Sequence, residues 1–204
     1  MCQRLSAAWD NFAFVGYHSH NYSKELFSKK DIVMNLLFRL LSILLFSRFH
    51  SKIDFLATCD TAFRVWPTDL DVLMHMNNGK YFSLMDLARV NLLIRSGMEK
   101  VMNDNGYYPV LSGETVRFKK SLKLFTAFDI KTKILGWDKK NFYLEHTFIH
   151  NEEIYAHAYI KARMLHKKGD KVAPVDCLKA AGKNLTSPPL PDNLKNWIAI
   201  TEEL

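Results

Sequence analysis

The chain contains little cysteine, glycine and proline, and these shortages exclude several classes of protein. Its 204 residues include three cysteines, eight glycines and six prolines. Cys2, Cys59 and Cys177 lie too far apart in the sequence for a CxxC pair. So sparse and odd a set argues against a disulfide scaffold and is typical of a reducing, cytosol-facing compartment. The sequence has no GxSxG elbow, phosphate-binding glycine loop or zinc-type spacing of histidine and cysteine, so it predicts no metal site.

Apolar and basic residues, by contrast, are abundant. Apolar residues make up 48% of the chain and aromatic residues 13%, which supports a sizeable packed core and argues against general disorder. The net charge of +7 favours an anionic partner, whether nucleic acid, anionic lipid or a phosphate-bearing small molecule. Charge is the only feature that favours nucleic acid, because the sequence contains no recognisable recognition module. We therefore expect no nucleic-acid partner.

One hydrophobic run bears on membrane association. Residues 32–46 contain a single charge, Arg39, and as a helix they would cover about 22 Å, less than the roughly 30 Å hydrocarbon core of a bilayer. Asn35, Arg39 and Ser42 form a narrow polar stripe, and leucines occupy most of the remainder. This pattern predicts that residues 32–49 lie in a membrane interface, with Arg39 reaching towards the head groups. The alternative is a helix that packs on the globular domain.

Composition divides the remaining chain into three segments. Residues 1–31 have mixed composition and no periodicity, and the sequence assigns them no role. A compact domain is predicted for residues 57–166. The tail, residues 167–204, is rich in Lys, Gly and Pro and is expected to end in a short helix that carries Trp197.

The position of the hydrophobic run also bears on targeting. It lies too far from Met1 for an ordinary signal peptide, whereas initiation at Met34 would make it an N-terminal signal-anchor. With either start, we expect a membrane-associated protein whose domain faces a reducing compartment. The sequence does not indicate which organelle.

Within the compact domain the apolar period changes in an informative order. Residues 61–66 alternate as a strand, and a helix is predicted from Gly79 to about Ser96, apolar on nearly all sides and therefore buried. Four strands follow, at 109–119, 127–136, 141–150 and 153–165, and their short connections predict antiparallel neighbours. The pattern predicts an α+β fold, an antiparallel β-sheet curled around one central α-helix, preceded by the N-terminal hydrophobic helix.

The turn before the buried helix is the stretch richest in chemistry. Between Asp69 and Phe82 it contains two carboxylates, a histidine and two asparagines. A helix N-terminus offers free backbone N–H groups and a partial positive charge, and a carboxylate beside it can act as nucleophile or general base. The structural alternative is that Asn77 or Asn78 caps the helix and that Asp69 or Asp71 forms the turn.

Residues 61–165 resemble the 4-hydroxybenzoyl-CoA thioesterase-like branch of the hotdog-fold acyl-CoA thioesterase family. In that branch a D-x-D motif precedes an H-x-N-N-x-x-Y stretch at the start of the central helix. The matching residues here are Asp69, Asp71, His75, Asn77, Asn78 and Tyr81. The stretches WPTDLDVLMHMNN, LGWDKKNFYLE and PPLPDNLKNWI resemble one subgroup of the family whose members also carry an N-terminal hydrophobic anchor.

The resemblance implies a function and a set of site residues. Asp71 matches the catalytic carboxylate, which attacks an acyl-CoA thioester or activates water, while backbone amides at the helix start stabilise the oxyanion. His75 is expected to assist catalysis, and Asn77, Asn78 and Tyr81 to bind the substrate. No cofactor is implied beyond coenzyme A, which is part of the substrate, and family members pair as dimers to complete the site.

Three features leave alternatives open. Met74 stands where many active members have glycine, so an inactive hotdog protein that binds acyl chains or serves as a membrane-tethered scaffold is the competing hypothesis. Lys119 and Lys120, near the end of the second strand, are predicted to contact the phosphates of coenzyme A, although edge strands also commonly carry solvated lysines. Asp86 can be explained by a helix ion pair with Arg89.

Overall fold

The structure, a computed structural model, describes residues 29–202. In this range the helices are α1 (Lys29–Phe46), α2 (Asn78–Arg95), α3 (Met98–Asn105), α4 (Pro174–Ala180) and α5 (Asp192–Glu202). The strands are β1 (Cys59–Arg64), β2 (Tyr107–Phe118), β3 (Ala127–Trp137), β4 (Asn141–His150), β5 (Glu153–His166) and β6 (Lys171–Val172). A single 3-10 turn, Pro67–Asp69, joins β1 to the segment before α2.

The strands form one antiparallel sheet in the order β1-β3-β4-β5-β2, and β6 pairs with β5. The tight β4–β5 connection places Asn151 and Glu152 at φ 48° and 65°, the left-handed conformation that two-residue hairpin turns require. The five predicted strands are therefore confirmed, each to within about two residues. The sheet is left with two free edges, one along β1 and one along the longer β2.

Helix α2 fills the curve of the sheet, as its apolar pattern predicted. Leu84, Met85, Ala88 and Leu92 are buried, and burial of each larger side chain contributes about 1.5–3 kcal/mol. The helix begins one residue before the predicted start. It ends one residue before the predicted end, ahead of Gly97, whose φ of 76° is a left-handed conformation that glycine adopts without strain.

Helix α1 packs against the domain, and this corrects the predicted direction of its polar stripe. Leu36, Leu40 and Ile43 contact the hydrophobic core. Asn35 and Arg39 point towards the 3-10 turn rather than away from the protein. The packed alternative therefore describes this side of the helix. None of the described helices combines the length and the apolarity needed to cross a membrane.

The opposite side of α1 carries a row of exposed apolar side chains. These residues are Phe38, Leu41, Leu45 and Phe46, followed beyond the helix by Phe49. The helix thus has a docked side, which includes Asn35 and Arg39 of the polar stripe, and an apolar outer side. We call the outer residues the apolar face of α1.

The predicted C-terminal helix with Trp197 is confirmed as α5, which covers the outer face of the sheet. Leu194 and Trp197 pack with Tyr143 and Tyr159 in a second cluster, separate from the main core. The segment before α5 packs closely against the sheet at Gly136. A side chain there would clash, because a Cβ atom would lie only 2.7 Å from Oγ of Ser187. Helices α3 and α4 were not predicted from the sequence, and both are short. The unassigned N-terminal segment 1–31 lies almost wholly outside the described residues.

Candidate active site

A tight hairpin carries the aspartate and histidine that the sequence singled out. Leu70 and Met76 face each other across an isolated β-bridge. The N–H of Asp71 donates to the carbonyl of His75 at 2.8 Å, and the N–H of Met74 donates to the carbonyl of Asp71 at 3.1 Å. We call residues 70–76 the Asp71 hairpin. Its position directly before α2 brings the motif residues together at the start of the central helix.

Backbone donors orient the Asp71 carboxylate. Its Oδ1 atom accepts hydrogen bonds from the N–H of Leu73 at 2.9 Å and of His75 at 3.1 Å. Within the described part of the chain, Oδ2 has no hydrogen-bond partner. One oxygen therefore holds the turn, as the structural alternative expected, and the other is available for chemistry. These two roles do not exclude each other.

The N-terminus of α2 is capped by Asn77. Its Oδ1 accepts from the N–H of Gly79 at 2.8 Å, and its own N–H donates to the carbonyl of Asp69 at 2.8 Å. Asn77 and Asn78 are both exposed. The amides of this first turn carry the partial positive charge of a helix start. They lie next to the Asp71 hairpin in the chain.

His75 and Tyr81 differ sharply in accessibility. His75 is half-buried in the hairpin. Tyr81, expected to contact the substrate, is only 2% exposed. Its ring packs against those of Phe118 and Phe148, with centroids 4.8 and 4.9 Å away, and burial raises the pKa of its hydroxyl. In the single chain Tyr81 is therefore a core residue, and it supports the site from beneath.

The first aspartate of the motif has a partner that the sequence analysis missed. Asp69 is fully buried, and its Oδ2 accepts from Nη2 of Arg39 at 2.5 Å and from the N–H of Trp66 at 2.9 Å. Lys80 approaches the other oxygen at 3.9 Å. The sequence did contain a signal for this ion pair, since Arg39 is the single charge in an apolar run and a buried arginine is almost always paired.

The loop after β2 borders the Asp71 hairpin. The N–H of Met76 donates to the carbonyl of Leu122 at 2.9 Å, and His75 pairs with Lys123 in an isolated bridge. Lys119 and Lys120 stand on this loop, both exposed. The sequence predicted both lysines as substrate-binding residues, and the pairing of His75 with Lys123 brings their loop to the Asp71 hairpin.

Lys120 already has a carboxylate partner. Its Nζ lies 2.7 Å from Oε2 of Glu153, and this hydrogen bond raises the pKa of Lys120. An exposed pair of this kind contributes little stability, so an anionic ligand could replace Glu153 without great loss.

Met74 adopts a backbone conformation that favours glycine. Its φ is 61°, in the left-handed region, where a side chain costs about 1–2 kcal/mol. Its side chain is exposed, as are those of the neighbouring Val72 and Leu73. In the single chain the methionine therefore points to solvent at the tip of the hairpin.

A second polar cluster joins α2 to the sheet. Arg89 forms ion pairs with Asp86 and Glu114 and approaches Nε2 of His146 at 3.2 Å. His146 is fully buried and also contacts Oγ1 of Thr132 at 2.9 Å. Burial holds the pKa of His146 well below its usual value and raises the pKa of both carboxyl groups. The expected ion pair between Asp86 and Arg89 is confirmed.

A groove with a volume of about 620 Å³ runs between α1 and β1. It is lined by Phe38, Arg39, Phe63, Trp66 and Thr68, among others. Across residues 29–202, no group of three or more His, Cys, Asp or Glu side chains lies close enough to hold a metal ion.

Comparison with known proteins now gives these features a context. A model of the Thioesterase-like superfamily matches residues 65–198. Protein THEM6 of Xenopus laevis is 35% identical over 136 residues, which cover 66% of this chain and 64% of that protein. The Probable thioesterase YBR096W of Saccharomyces cerevisiae is 27% identical over 119 residues, or 57% of this chain and 51% of that protein. The chain thus matches less than two thirds of the length of these relatives.

Solved structures of thioesterases share the fold of this chain. The crystal structure of YbaW, a probable thioesterase from Escherichia coli, superposes with a TM-score of 0.56 at 19% identity, covering 60% of this chain and 96% of that one. The curled sheet around α2 is therefore the hotdog fold found in thioesterases. The chain itself belongs to the Thioesterase-like superfamily, and the resemblance drawn from the D-x-D and H-x-N-N-x-x-Y motifs is confirmed.

Proposed function

We propose that the chain is an acyl-CoA thioesterase-type hydrolase in which Asp71 acts on the thioester. The observation that carries the proposal is the Asp71 carboxylate, held through Oδ1 by two backbone amides directly before the start of α2. Its Oδ2 atom attacks the acyl carbon or takes a proton from a water molecule that does so. The carbonyl oxygen gains negative charge, which amides of the first turn of α2 stabilise. Cleavage of the C–S bond then releases coenzyme A as its thiol. When Asp71 is the nucleophile, water hydrolyses the resulting acyl–aspartyl anhydride, and on either route the other product is the free acid.

His75 orients the substrate or the carboxylate in this proposal. Its backbone N–H donates to Asp71. Its half-buried ring is not used in that bond and can contact the substrate or the Asp71 carboxylate. Asn77 holds the helix start through its cap, and Asn78 stands exposed at the first residue of α2. These residues shape the site, and Asp71 performs the chemistry.

The phosphates of coenzyme A are proposed to bind Lys119 and Lys120. The loop that carries these lysines pairs with the Asp71 hairpin through His75 and Lys123. The charges of the two lysines suit the phosphates of a nucleotide carrier. Lys120 would exchange its partner Glu153 for a phosphate oxygen, and that exchange keeps its charge paired.

A homodimer or larger assembly is proposed to complete the site. Strand β2 presents an unpaired edge of 12 residues, and exposed apolar side chains on it include Val110, Leu111 and Phe118. Exposed edges of this length are normally covered in native proteins, and a second copy of the chain covers one by symmetry. Sedimentation of the protein at micromolar concentration tests the proposal, and a stable monomer contradicts it.

A membrane is proposed as the partner of the apolar face of α1. This face places three phenylalanines and two leucines in solvent. Arg48 and Lys52 are exposed nearby and suit anionic head groups. The docked side of the helix is occupied by the protein, so the bilayer would receive the outer side and leave Arg39 in place. The domain would then lie against the membrane, with its cysteines in a reducing, cytosol-facing compartment.

Thiol release from short-, medium- and long-chain acyl-CoAs tests the proposed activity. Hydrolysis of at least one class supports it. The competing hypothesis, an inactive hotdog protein that binds acyl chains or serves as a membrane-tethered scaffold, is favoured by Met74, whose bulk at the tip of the Asp71 hairpin would crowd acyl access. Binding of an acyl-CoA without release of thiol would support that hypothesis instead.

A further inference from the structure

A buried carboxylate lies at the base of the Asp71 hairpin, and its charge must be compensated. Asp69 is fully buried, and an unpaired charge in such a place is strongly destabilising. Two cations are near it, but only Arg39 makes a direct hydrogen bond, at 2.5 Å, since Lys80 remains 3.9 Å away. Nζ of Lys80 makes no hydrogen bond within the described residues, and burial lowers the pKa of this group. Arg39 is therefore the principal partner of Asp69.

The position of Asp69 sets the position of the reacting group. Its carbonyl accepts the N–H of Asn77 at 2.8 Å, and so joins the two ends of the hairpin at the cap of α2. Beyond that bond, Leu70 pairs with Met76, and Asp71 pairs with His75. A displacement of Asp69 would pass directly into the Asp71 carboxylate and the first amides of α2.

Arg39 is itself held by the domain. A second hydrogen bond from Nη2 reaches the carbonyl of Arg64 at the end of β1, at 2.9 Å. Helix α1 is also held by a contact of Asn35 with Thr68 and, just beyond its C-terminal end, by a hydrogen bond from Ser47 to Asn91. The guanidinium of Arg39 thus links helix α1 to the end of β1 and to Asp69 at the base of the hairpin. It lies outside residues 65–198, the segment matched by the family model.

We infer that Arg39 is a positioning residue for the proposed hydrolytic site, and that helix α1 is a working part of that site as well as an appendage to it. The inference rests on the proposed function for its catalytic consequence. Its structural content is independent of that function: the Arg39–Asp69 pair orders the Asp71 hairpin and the start of α2.

Amide hydrogen exchange of the full-length chain tests the structural content. In Arg39→Met the side chain keeps its length and loses its charge and donors. Residues 70–79 should then exchange at least about tenfold faster than in the parent, while β4, far from the pair in the sheet order, keeps its protection. Arg39→Lys, which retains the charge, should restore most of the protection. Lys139→Met, at an exposed lysine in the turn between β3 and β4, is the control for loss of a surface charge and should leave the hairpin unchanged.

Steady-state kinetics with the best acyl-CoA substrate test the catalytic consequence. Arg39→Met should lower kcat by at least about tenfold with little change in KM, because a misplaced carboxylate still binds substrate but reacts poorly. Arg39→Lys should recover part of kcat, and Lys139→Met should have the kcat of the parent.

The two measurements separate the possible failures. Unchanged exchange in residues 70–79, or an equal loss of protection across β4, overturns the inference. Should Arg39→Met fail to fold, Arg39→Gln, which loses the charge but keeps a hydrogen-bond donor, takes its place in the same comparison of hairpin and β4 exchange. A parent chain that hydrolyses no acyl-CoA contradicts the proposed function, while the exchange result still stands. Fast hairpin exchange with an unaltered kcat overturns the role of Arg39 and leaves the proposed function intact.

Discussion

The backbone N–H of His75 donates to Oδ1 of Asp71 at 3.1 Å, which joins the two motif residues through the main chain of one and the side chain of the other. The imidazole takes no part in this bond. The hairpin can therefore keep its shape when the ring is removed, and the chemical role of the ring can be examined separately from its structural setting.

His75→Ala should lower thioester hydrolysis without unfolding the domain. The variant retains the backbone donor to Asp71, and the lost ring is only half-buried. We expect kcat to fall by about 10-fold or more while the melting temperature stays within a few degrees of the parent. Thermal denaturation followed by circular dichroism provides the structural readout. A collapse of the melting temperature would mean that the ring is structural.

Met74→Gly should stabilise the protein slightly. The left-handed φ of 61° costs a side chain about 1 kcal/mol, and the added freedom of glycine in the unfolded state removes roughly half of that gain. The matched control is Leu73→Gly, at an exposed neighbour without a positive φ, which should destabilise. Chemical denaturation of both variants checks the pair, and equal losses of stability would show that Met74 is not strained.

The sequence predicted the central helix, the strands of the sheet and the position of the motif, because each has a local signal. The period of α2, the alternation of β5 and the glycine after α2 can all be read within a few residues. The orientation of α1 could not be read in this way. Its polar stripe identified Arg39, but the partner, Asp69, lies 30 residues further on, and periodicity gives a face without saying what covers it.

The position of the Tyr81 side chain also depends on non-local contacts, so the sequence predicted this residue to bind the substrate. The motif places it at the start of α2, and only the fold reveals that its ring turns into the core between Phe118 and Phe148. Helix α3 was missed because eight residues give too few turns for a secure period. The links between the hairpin and the loop after β2 are likewise non-local.

Acidification should destabilise the protein through His146. Burial keeps the pKa of this histidine well below 6.5 in the folded state, whereas the unfolded chain takes up a proton below about pH 6.5. The unfolded state then binds more protons than the folded state. The free energy of unfolding therefore decreases as the pH is lowered, by at most about 1.4 kcal/mol per pH unit. Urea denaturation at pH 7 and pH 5.5 should show a smaller loss in His146→Gln than in the parent.

Asp86 and Glu114 contribute with the opposite sign. Burial raises their folded pKa values, so the folded state takes up protons first and gains stability as the pH falls through those values. Both carboxyl groups are present in the parent and in His146→Gln, so the difference between the two proteins reports the histidine. An equal slope in both would contradict its buried, neutral state.

The apolar face of α1 should determine membrane binding. Leu41→Asp with Leu45→Asp changes two exposed leucines and leaves the docked Leu36 and Leu40 intact. Since each leucine buried in lipid contributes about 1.5–3 kcal/mol, the double variant should bind anionic vesicles at least about 100-fold more weakly. The matched control is Val175→Asp with Ile200→Asp, exposed residues on α4 and α5. Vesicle sedimentation that treats both double variants alike would exclude α1 as the anchor.

The most direct test of the account is acyl-CoA hydrolysis by Asp71→Asn. The substitution keeps the shape of the side chain and an oxygen to accept from Leu73 and His75, so the hairpin remains closed. It removes the charge that the proposed chemistry needs. The control is Asp170→Asn, at an exposed aspartate between β5 and β6. The account predicts a fall in kcat of at least about 10²-fold in Asp71→Asn and parent-like turnover in Asp170→Asn; parent-like turnover in Asp71→Asn would contradict it.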